Sequence, residues 1–389
     1  MQKFQKIAFI LMFLLFSGYV FCGEPVLAPW NENKPFPRPS EIAFPKGTVH
    51  YIVQDCDQDP DYRFLHETAV GFLGNKIIAA WYNNPTKELT GKTFQRYRWS
   101  EDEGKTWSNP QILMDRGNDK GLMYVGMQFL NLDGELYAFT NEEHGAEKPF
   151  NMNLLRYEKS NGTWKELGPI AARFLSMQQP ILMDNGNYAI CGSYNPTPGG
   201  VNGYLPAVYI SQGKDIAKPW KRYLIDTEYV NVFAETAMIA EGASLFAMTR
   251  LERSAYPNVY ISKDYGKIWE KIENTSFPAS STKFAAGTLS NGTRYLLFNI
   301  PDFKRDQNGK IIPNSFTRNR GTLAIALAKP DEKAFSKIWK VSDSSSSTKQ
   351  RASHYPCAVE HNGKLYITYT GQHKYRNCGL TIIPIDSLK

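Results

Sequence analysis

Ser100-Glu101-Asp102-Glu103-Gly104-Lys105-Thr106-Trp107 returns later in the chain as Ser262-Lys263-Asp264-Tyr265-Gly266-Lys267-Ile268-Trp269, with the same chemistry at the same places. Each copy lies between two strand-like runs. An Asp-x-Gly core reads as a hairpin turn in which the carboxylate bonds the turn's own N–H groups, the Gly supplies a positive φ, and the Trp packs back on the strands. Two copies in one chain point to a repeated structural unit.

Outward from these two turns, a hairpin signature recurs at intervals of about fifty residues, the spacing of propeller blades. Inner hairpins run from Ala69 to Trp81, Met127 to Thr140 and Gln179 to Cys191. Three more turn at Glu241-Gly242, Asn291-Gly292 and Asn362-Gly363. Outer hairpins follow over Phe94 to Leu113, Asn153 to Leu167, Val208 to Ile225, Asn258 to Ile272 and Gly321 to Val341. Helical periodicity of any length is absent, so the pattern predicts an all-β fold, a six-bladed β-propeller over residues 48–389. The sixth repeat ends after Leu380 to Ile385 and lacks an outer strand. Thr48 to Gln54 is the expected donor, closing the ring from the other terminus and removing a sheet edge. Residues 23–47 read as an N-terminal arm, and Lys304 to Asn319 and Ser342 to Arg351 as loops.

Composition narrows the function classes. The formal charge of the 389-residue chain is +7, but acidic and basic residues are interspersed, which argues against a nucleic-acid-binding stripe. Lys3 and Lys6 precede the apolar run Ile7 to Phe16, and a cleavage region follows around Phe21-Cys22-Gly23. Residues 1–22 are therefore expected to be a signal peptide and the protein exported, with a lipid anchor at Cys22 as the alternative outcome. No other run approaches the roughly 18 apolar residues of a membrane span. Cys56, Cys191, Cys357 and Cys378 show no metal-ligand spacing; a Cys56–Cys378 disulfide and buried free thiols are both open readings. Asn161, Asn274 and Asn291 begin glycosylation sequons.

The first strands of a propeller converge on its axis, so the loops at one end surround a pit suited to a ligand. Arg63 precedes the first inner hairpin, Glu235 opens the fourth, Arg250 ends its second strand, Arg320 opens the outer part of the fifth repeat and Tyr355 opens the sixth. Several guanidinium forks in one pit can hold a carboxylate. A Tyr whose proton passes to a Glu is a suitable nucleophile for an anomeric centre that already carries a carboxylate. Arg253 and Arg318 are the near rivals of Arg250 and Arg320. His66, with Glu67, stands at the mouth of the first blade, and Gln128, Gln178 and Gln179 near the tops of others, where they read as hydroxyl-binding or as backbone-satisfying groups.

The chain resembles the sialidase (neuraminidase) family of Asp-box, BNR-repeat propellers over residues 48 to 386. Tyr62-Arg63-Phe64-Leu65 is similar to the element that supplies that family's first carboxylate-binding arginine. Ala234-Glu235-Thr236 with Leu245 to Arg250 resembles the segment carrying its Glu and second arginine. Arg320-Gly321-Thr322-Leu323 resembles the third, and Ser353-His354-Tyr355-Pro356 the segment of the Tyr nucleophile. The chain departs from the family where Leu65 replaces a Pro, and where the loop Tyr82 to Thr93 holds no Asp. Glu88, twelve residues before Ser100, stands about where the family's acid/base is expected.

The resemblance implies an exported exo-glycosidase that hydrolyses a terminal sialic acid or related 2-keto-3-deoxy sugar acid with retention. Tyr355, Glu235 and Glu88 would be catalytic, and Arg63, Arg250, Arg320, His66, Gln128 and Gln179 would bind substrate. No metal or organic cofactor is implied; the expected partner is a glycan with an anionic terminal sugar, and a monomer is expected. Two other readings keep the fold: a hydrolase or lyase acting on a uronate-containing polysaccharide with His66 involved, and a non-catalytic carbohydrate-binding propeller.

Overall fold

The computed structural model describes residues 29–88, 92–115, 122–144, 151–197, 203–228, 234–252, 254–273, 275–312, 315–344, 352–372 and 376–389. The predicted signal peptide with Cys22, the first residues of the arm, Arg253, Asn274 and most of the Ser342 to Arg351 loop lie outside them.

Six antiparallel sheets follow one another as blades. Blade 1 comprises Phe64–Leu73, Lys76–Asn84, Phe94–Ser100 and Gln111–Met114, and blade 2 Leu122–Leu132, Glu135–His144, Asn151–Glu158 and Thr163–Ala172. The inner strand of blade 3 is broken into Phe174–Ser176 and Ile181–Leu182, both paired with Tyr188–Tyr194; Leu205–Ile210 and Lys221–Leu224 complete it. Blade 4 is Thr236–Glu241, Ser244–Thr249, Asn258–Ser262 and Glu270–Ile272. Blade 5 is Ala285–Thr288, Arg294–Asn299, Thr322–Ala328 and Lys337–Asp343. In blade 6, Ala352–His361, Lys364–Gln372 and Arg376–Pro384 are completed by Val49–Gln54, with Tyr51 opposite Leu380. The ring is closed by the N-terminal strand, as the sequence predicts.

The two boxes are built alike. Ser100 Oγ donates to Asp102 Oδ1 at 2.9 Å, Gly104 N–H donates to Ser100 Oγ at 2.8 Å, and Trp107 Nε1 donates to the Gly104 carbonyl at 2.9 Å. The second box repeats these bonds at 2.8, 2.9 and 2.9 Å through Ser262, Asp264, Gly266 and Trp269. Gly104 and Gly266 have φ of +86° and +83°. A Cβ at Gly104 would meet Leu380 Cδ2 of blade 6 at 2.6 Å, and one at Gly266 would meet Leu245 Cδ1 at 2.7 Å. The boxes therefore lock outer turns onto neighbouring strands, far from the axis.

The arm does more than lead in. Trp30, Phe36 and Ile42 are buried in one apolar cluster with Phe277, Phe298 and Phe335 of blades 4 and 5. Asn31 N–H donates to the Phe335 carbonyl, and Arg305 bonds both Glu41 and the Phe36 carbonyl. Burying side chains of this size contributes roughly 1.5–3 kcal/mol each, which straps blades 4 and 5 together. The described residues of Lys304 to Asn319 form a loop, as expected, pinned by the bridges Asp302 to Thr317 and Arg305 to Ile311. Cys56, Cys191, Cys357 and Cys378 are free and buried.

Near the pit the inner strands leave regular geometry. The register slips between His66 and Ala69, between Val125 and Met127, and between His354 and Cys357. Glu67, Ala234 and Tyr355 take positive φ of 46°, 47° and 58°. Such backbone costs of order 1–3 kcal/mol per residue and clusters where a side chain must be aimed at a site.

Candidate active site

Tyr355 stands on the bulge of the blade 6 inner strand and is buried. Its Oη donates to Glu235 Oε1 at 2.6 Å and accepts from Arg250 Nη1 at 2.8 Å. Glu235, 2% exposed, also accepts from Arg250 Nη1 through Oε2 at 2.6 Å. Glu235 and Arg250 sit opposite each other where the two inner strands of blade 4 end, the Arg250 N–H bonding the Glu235 carbonyl. The apolar stretch around Glu235 demands a partner for its charge, and Arg250 is that partner.

Burial and the Glu235 carboxylate hold the Tyr355 phenol well above its ordinary pKa, with Arg250 and Arg320 pulling the other way. The proton thus rests on the phenol, aimed at the carboxylate that would receive it. Burial works against the Arg250 charge, but Glu235, Tyr355 and Glu252 outweigh it and raise its pKa.

Arg250 is heavily committed. Nε donates to Ser281 Oγ at 2.9 Å and Nη2 to Glu252 Oε2 at 2.9 Å. A guanidinium has five N–H donors, so little of it is left for a ligand. Arg320 is placed differently: Nη2 donates to the Ser281 carbonyl at 2.8 Å, while its buried Nε has no hydrogen-bond partner among the described residues. Burial above all pushes its pKa down, with Arg318 and Arg250 adding to the effect and Tyr355 and Glu235 opposing it. Arg318, its rival in sequence, bonds the same carbonyl at 3.1 Å and lies 3.5 Å from Glu252. Arg63 flanks the blade 1 inner strand, its N–H bonding the Pro85 carbonyl and its carbonyl accepting from Arg376.

A second group abuts the first through His66, whose ring centroid is 4.2 Å from that of Tyr355. His66 Nδ1 is 3.1 Å from Thr370 Oγ1, and Nε2 is 3.8 Å from Glu88 Oε1. Burial first, then Arg376, His354, Arg320 and Lys283, hold the imidazole well below its ordinary pKa, so it is neutral. Glu88, about half exposed, accepts from Tyr82 Oη at 2.9 Å and faces Arg376 Nη2 at 3.9 Å. The Arg376 guanidinium lies 4.2 Å over the Phe64 ring.

Gln128 and Gln179 line the axis below the tyrosine. Both border a cavity of about 300 Å³ shared with Tyr295, Pro356 and Cys357. Gln179 Nε2 crosses the axis to the Val70 carbonyl of blade 1 at 2.7 Å. Gln178 exchanges two bonds with Met238 of blade 4 at 2.7 and 2.9 Å. Ser281, Glu252, Tyr82, Thr370 and Arg376 join the site without having been singled out in the sequence. Each lies in a loop or at a strand end whose partner belongs to another segment, and only Glu252, two residues after Arg250, carried a local hint.

Among the described residues no helix is long and apolar enough to cross a membrane. No curated protein sequence matches the chain. The structure is similar to Trypanosoma rangeli sialidase in complex with sialic acid, with a TM-score of 0.60 at 15% identity over 89% of this chain and 60% of that one. It is similar to a Hadza microbial sialidase, with a TM-score of 0.64 at 15% identity over 87% of this chain and 69% of that one. NanB sialidase from Streptococcus pneumoniae gives a TM-score of 0.58 at 11% identity, over 89% of this chain and 71% of that one. The chain spans 60% of the length of the trypanosomal enzyme. A model of the BNR repeat-like domain matches residues 75–367, well over half of the chain, which therefore belongs to the BNR repeat-like domain family.

Proposed function

We propose that the chain is an exported glycoside hydrolase that releases a terminal sialic acid, or a related 2-keto-3-deoxy sugar acid, with retention of configuration. The observation that carries this reading is the buried Tyr355–Glu235 contact of 2.6 Å with Arg250 and Arg320 beside it. A neutral phenol avoids the repulsion that a carboxylate nucleophile would feel from the sugar's own carboxylate. Support also comes from the fold relatives: the trypanosomal sialidase is known with 2,3-difluorosialic acid as a covalent intermediate.

In the first step Tyr355 Oη bonds to the anomeric carbon and its proton passes to Glu235 Oε1. The glycosidic bond breaks, and the leaving oxygen takes a proton from the Glu88 carboxyl group. In the second step Glu88 takes a proton from water, whose oxygen replaces Tyr355 at the same carbon, and Glu235 returns the phenol proton. Arg320, with Arg63 and what remains of Arg250, holds the sugar carboxylate. His66 packs against the tyrosine and fixes its ring.

The test is a screen of fluorogenic α-ketosides of sialic acid and its relatives beside neutral glycosides. Release from acidic sugars alone, abolished by Tyr355→Phe, is the expected result; equal cleavage by the variant overturns the reading. The neutral His66 beside half-exposed Glu88 favours one second reading, β-elimination on a uronate-bearing glycan. Product absorbance in the ultraviolet separates it, since only elimination makes an unsaturated uronide.

A further inference from the structure

Two buried charged side chains at the inner strands are not used by the reaction above, Glu67 of blade 1 and Lys283, which leads into the inner strand of blade 5. Glu67 is 7% exposed and Lys283 1%. Both belong to the axis. Glu67 stands in the inner strand of blade 1 and Lys283 two residues before the inner strand of blade 5, the strands that converge on the axis, and the Lys283 charge favours the ionised form of Glu67.

Glu67 occupies the bulge of its strand as Tyr355 occupies the bulge of the neighbouring one, both with positive φ. Its carboxylate is pressed on blade 2, where a Cβ at Gly126 would lie 1.9 Å from Glu67 Oε2. That oxygen is buried with no hydrogen-bond partner among the described residues. A glycine at 126 is what lets the carboxylate reach the axis.

We propose that Glu67 is a positioning residue of the site: held on the axis against Gly126 and opposite Lys283, its carboxyl group sets the charge that Glu235 and Tyr355 experience when the phenol gives up its proton. The catalytic half of this statement rests on the glycosidase reading; the charge coupling does not. The groups around Glu67 are Lys283 from blade 5, Glu235 from blade 4, and Glu88 and Tyr82 from blade 1. Blade 2 presents the Gly126 backbone, and blade 6 brings His354, Tyr355, Arg376 and Cys378 at the strands packed on the first. Burial raises the Glu67 pKa to about 7; Lys283 and the Gly126 N–H oppose that, and Glu235 and Glu88 reinforce it. Below that pH Glu67 is a neutral acid and adds no repulsion to Glu235; above it, a second carboxylate shares the floor of the pit.

The experiment is a carbon-13 NMR titration of the whole protein labelled at its glutamate carboxyl carbons, with kcat/KM followed against pH on any acidic sugar it cleaves. Of the resonances titrating near pH 7, the one lost in Glu67→Gln belongs to Glu67, and its midpoint should move downward in Glu235→Gln, where a like charge is removed. Lys283→Met should move the Glu67 midpoint upward, a sign that a purely structural role does not give. kcat/KM should pass from one plateau to another across the Glu67 midpoint in the wild type and lose that step in Glu67→Gln. An unmoved Glu67 midpoint in folded Glu235→Gln, or in Lys283→Met, overturns the proposal. The expected NMR shifts without turnover of any acidic sugar would support the coupling and sink the glycosidase reading instead.

Discussion

Tyr355 donates its phenolic proton to Glu235 in a 2.6 Å hydrogen bond that joins the sixth blade to the fourth across 120 residues of sequence. The bond has a direction, from acid to base, and that direction makes it testable. Tyr355→Phe should lower kcat on an acidic ketoside by about 10³-fold or more, because the nucleophile is gone while the pit is unchanged. Glu235→Gln should cost about 10²–10⁴-fold, the usual range for a lost general base. Steady-state kinetics on folded variants decide both.

Arg250 serves stability as well as chemistry. It compensates Glu235 in a buried pair, and removing one partner of such a pair typically costs 3–5 kcal/mol. Arg250→Met should therefore lower the unfolding free energy by about 3 kcal/mol in denaturant titration, and the double variant Arg250→Met with Glu235→Gln should recover part of that loss.

Arg320 should read out as binding. Its Nε is uncommitted within the described residues, and a guanidinium fork is not replaced by an ammonium. Arg320→Lys should raise KM for an acidic sugar by about 10- to 100-fold, consistent with the roughly 1.5–3 kcal/mol of a charged hydrogen bond, and should lower kcat far less. A neutral glycoside, if cleaved, should show no such rise.

Glu143, at the pit end of blade 2, offers a stability test that depends on pH. Burial raises its carboxyl pKa from 4.5 to about 7. The folded protein thus binds the proton more tightly than the unfolded chain. Its contribution to stability is complete below about pH 4.5 and is lost as pH rises through 7. Glu143→Gln should leave Tm unchanged at pH 4 and raise it at pH 8, by the equivalent of about 1–3 kcal/mol. Thermal melts across that range check it.

Gly266→Ala probes the repeated turn. Its φ is +83° and the new Cβ would press on Leu245, so a loss of about 1–3 kcal/mol is expected. KM should not move, since the turn lies on the outer edge of the blade. Equilibrium unfolding and kinetics on the same sample separate the two effects.

The blades were legible because each carries its own local signals, a period-two strand and a Gly-bearing turn. Two intact boxes phased the four weaker repeats, and the strand at Val49–Gln54 followed from counting strands. The tyrosine, the glutamate and the second and third arginines were legible through their places relative to those strands. Glu67 and Lys283 were not assigned as a pair, because they meet only where blades 1 and 5 converge. Ser281 contributes through a carbonyl that two arginines share, and a backbone carbonyl has no letter in a sequence. Residues 23–47 read simply as an arm, yet Trp30 and Phe36 anchor it, since two aromatics in a short segment leave no periodicity to detect.

The closure of blade 6 bears on how the molecule is made. Val49–Gln54 leaves the ribosome long before its partner Arg376–Pro384, with the other five blades made in between. Until then the strand has an open edge and the ring cannot shut, even though Arg63, Glu235, Arg250, Arg320 and Tyr355 have all been synthesised. Without the strand Arg376–Pro384, Tyr355, Glu235, Arg250 and Arg320 would all be present and the circle that aims them undone, so pairing of that strand with Val49–Gln54 is also the step that assembles the pit.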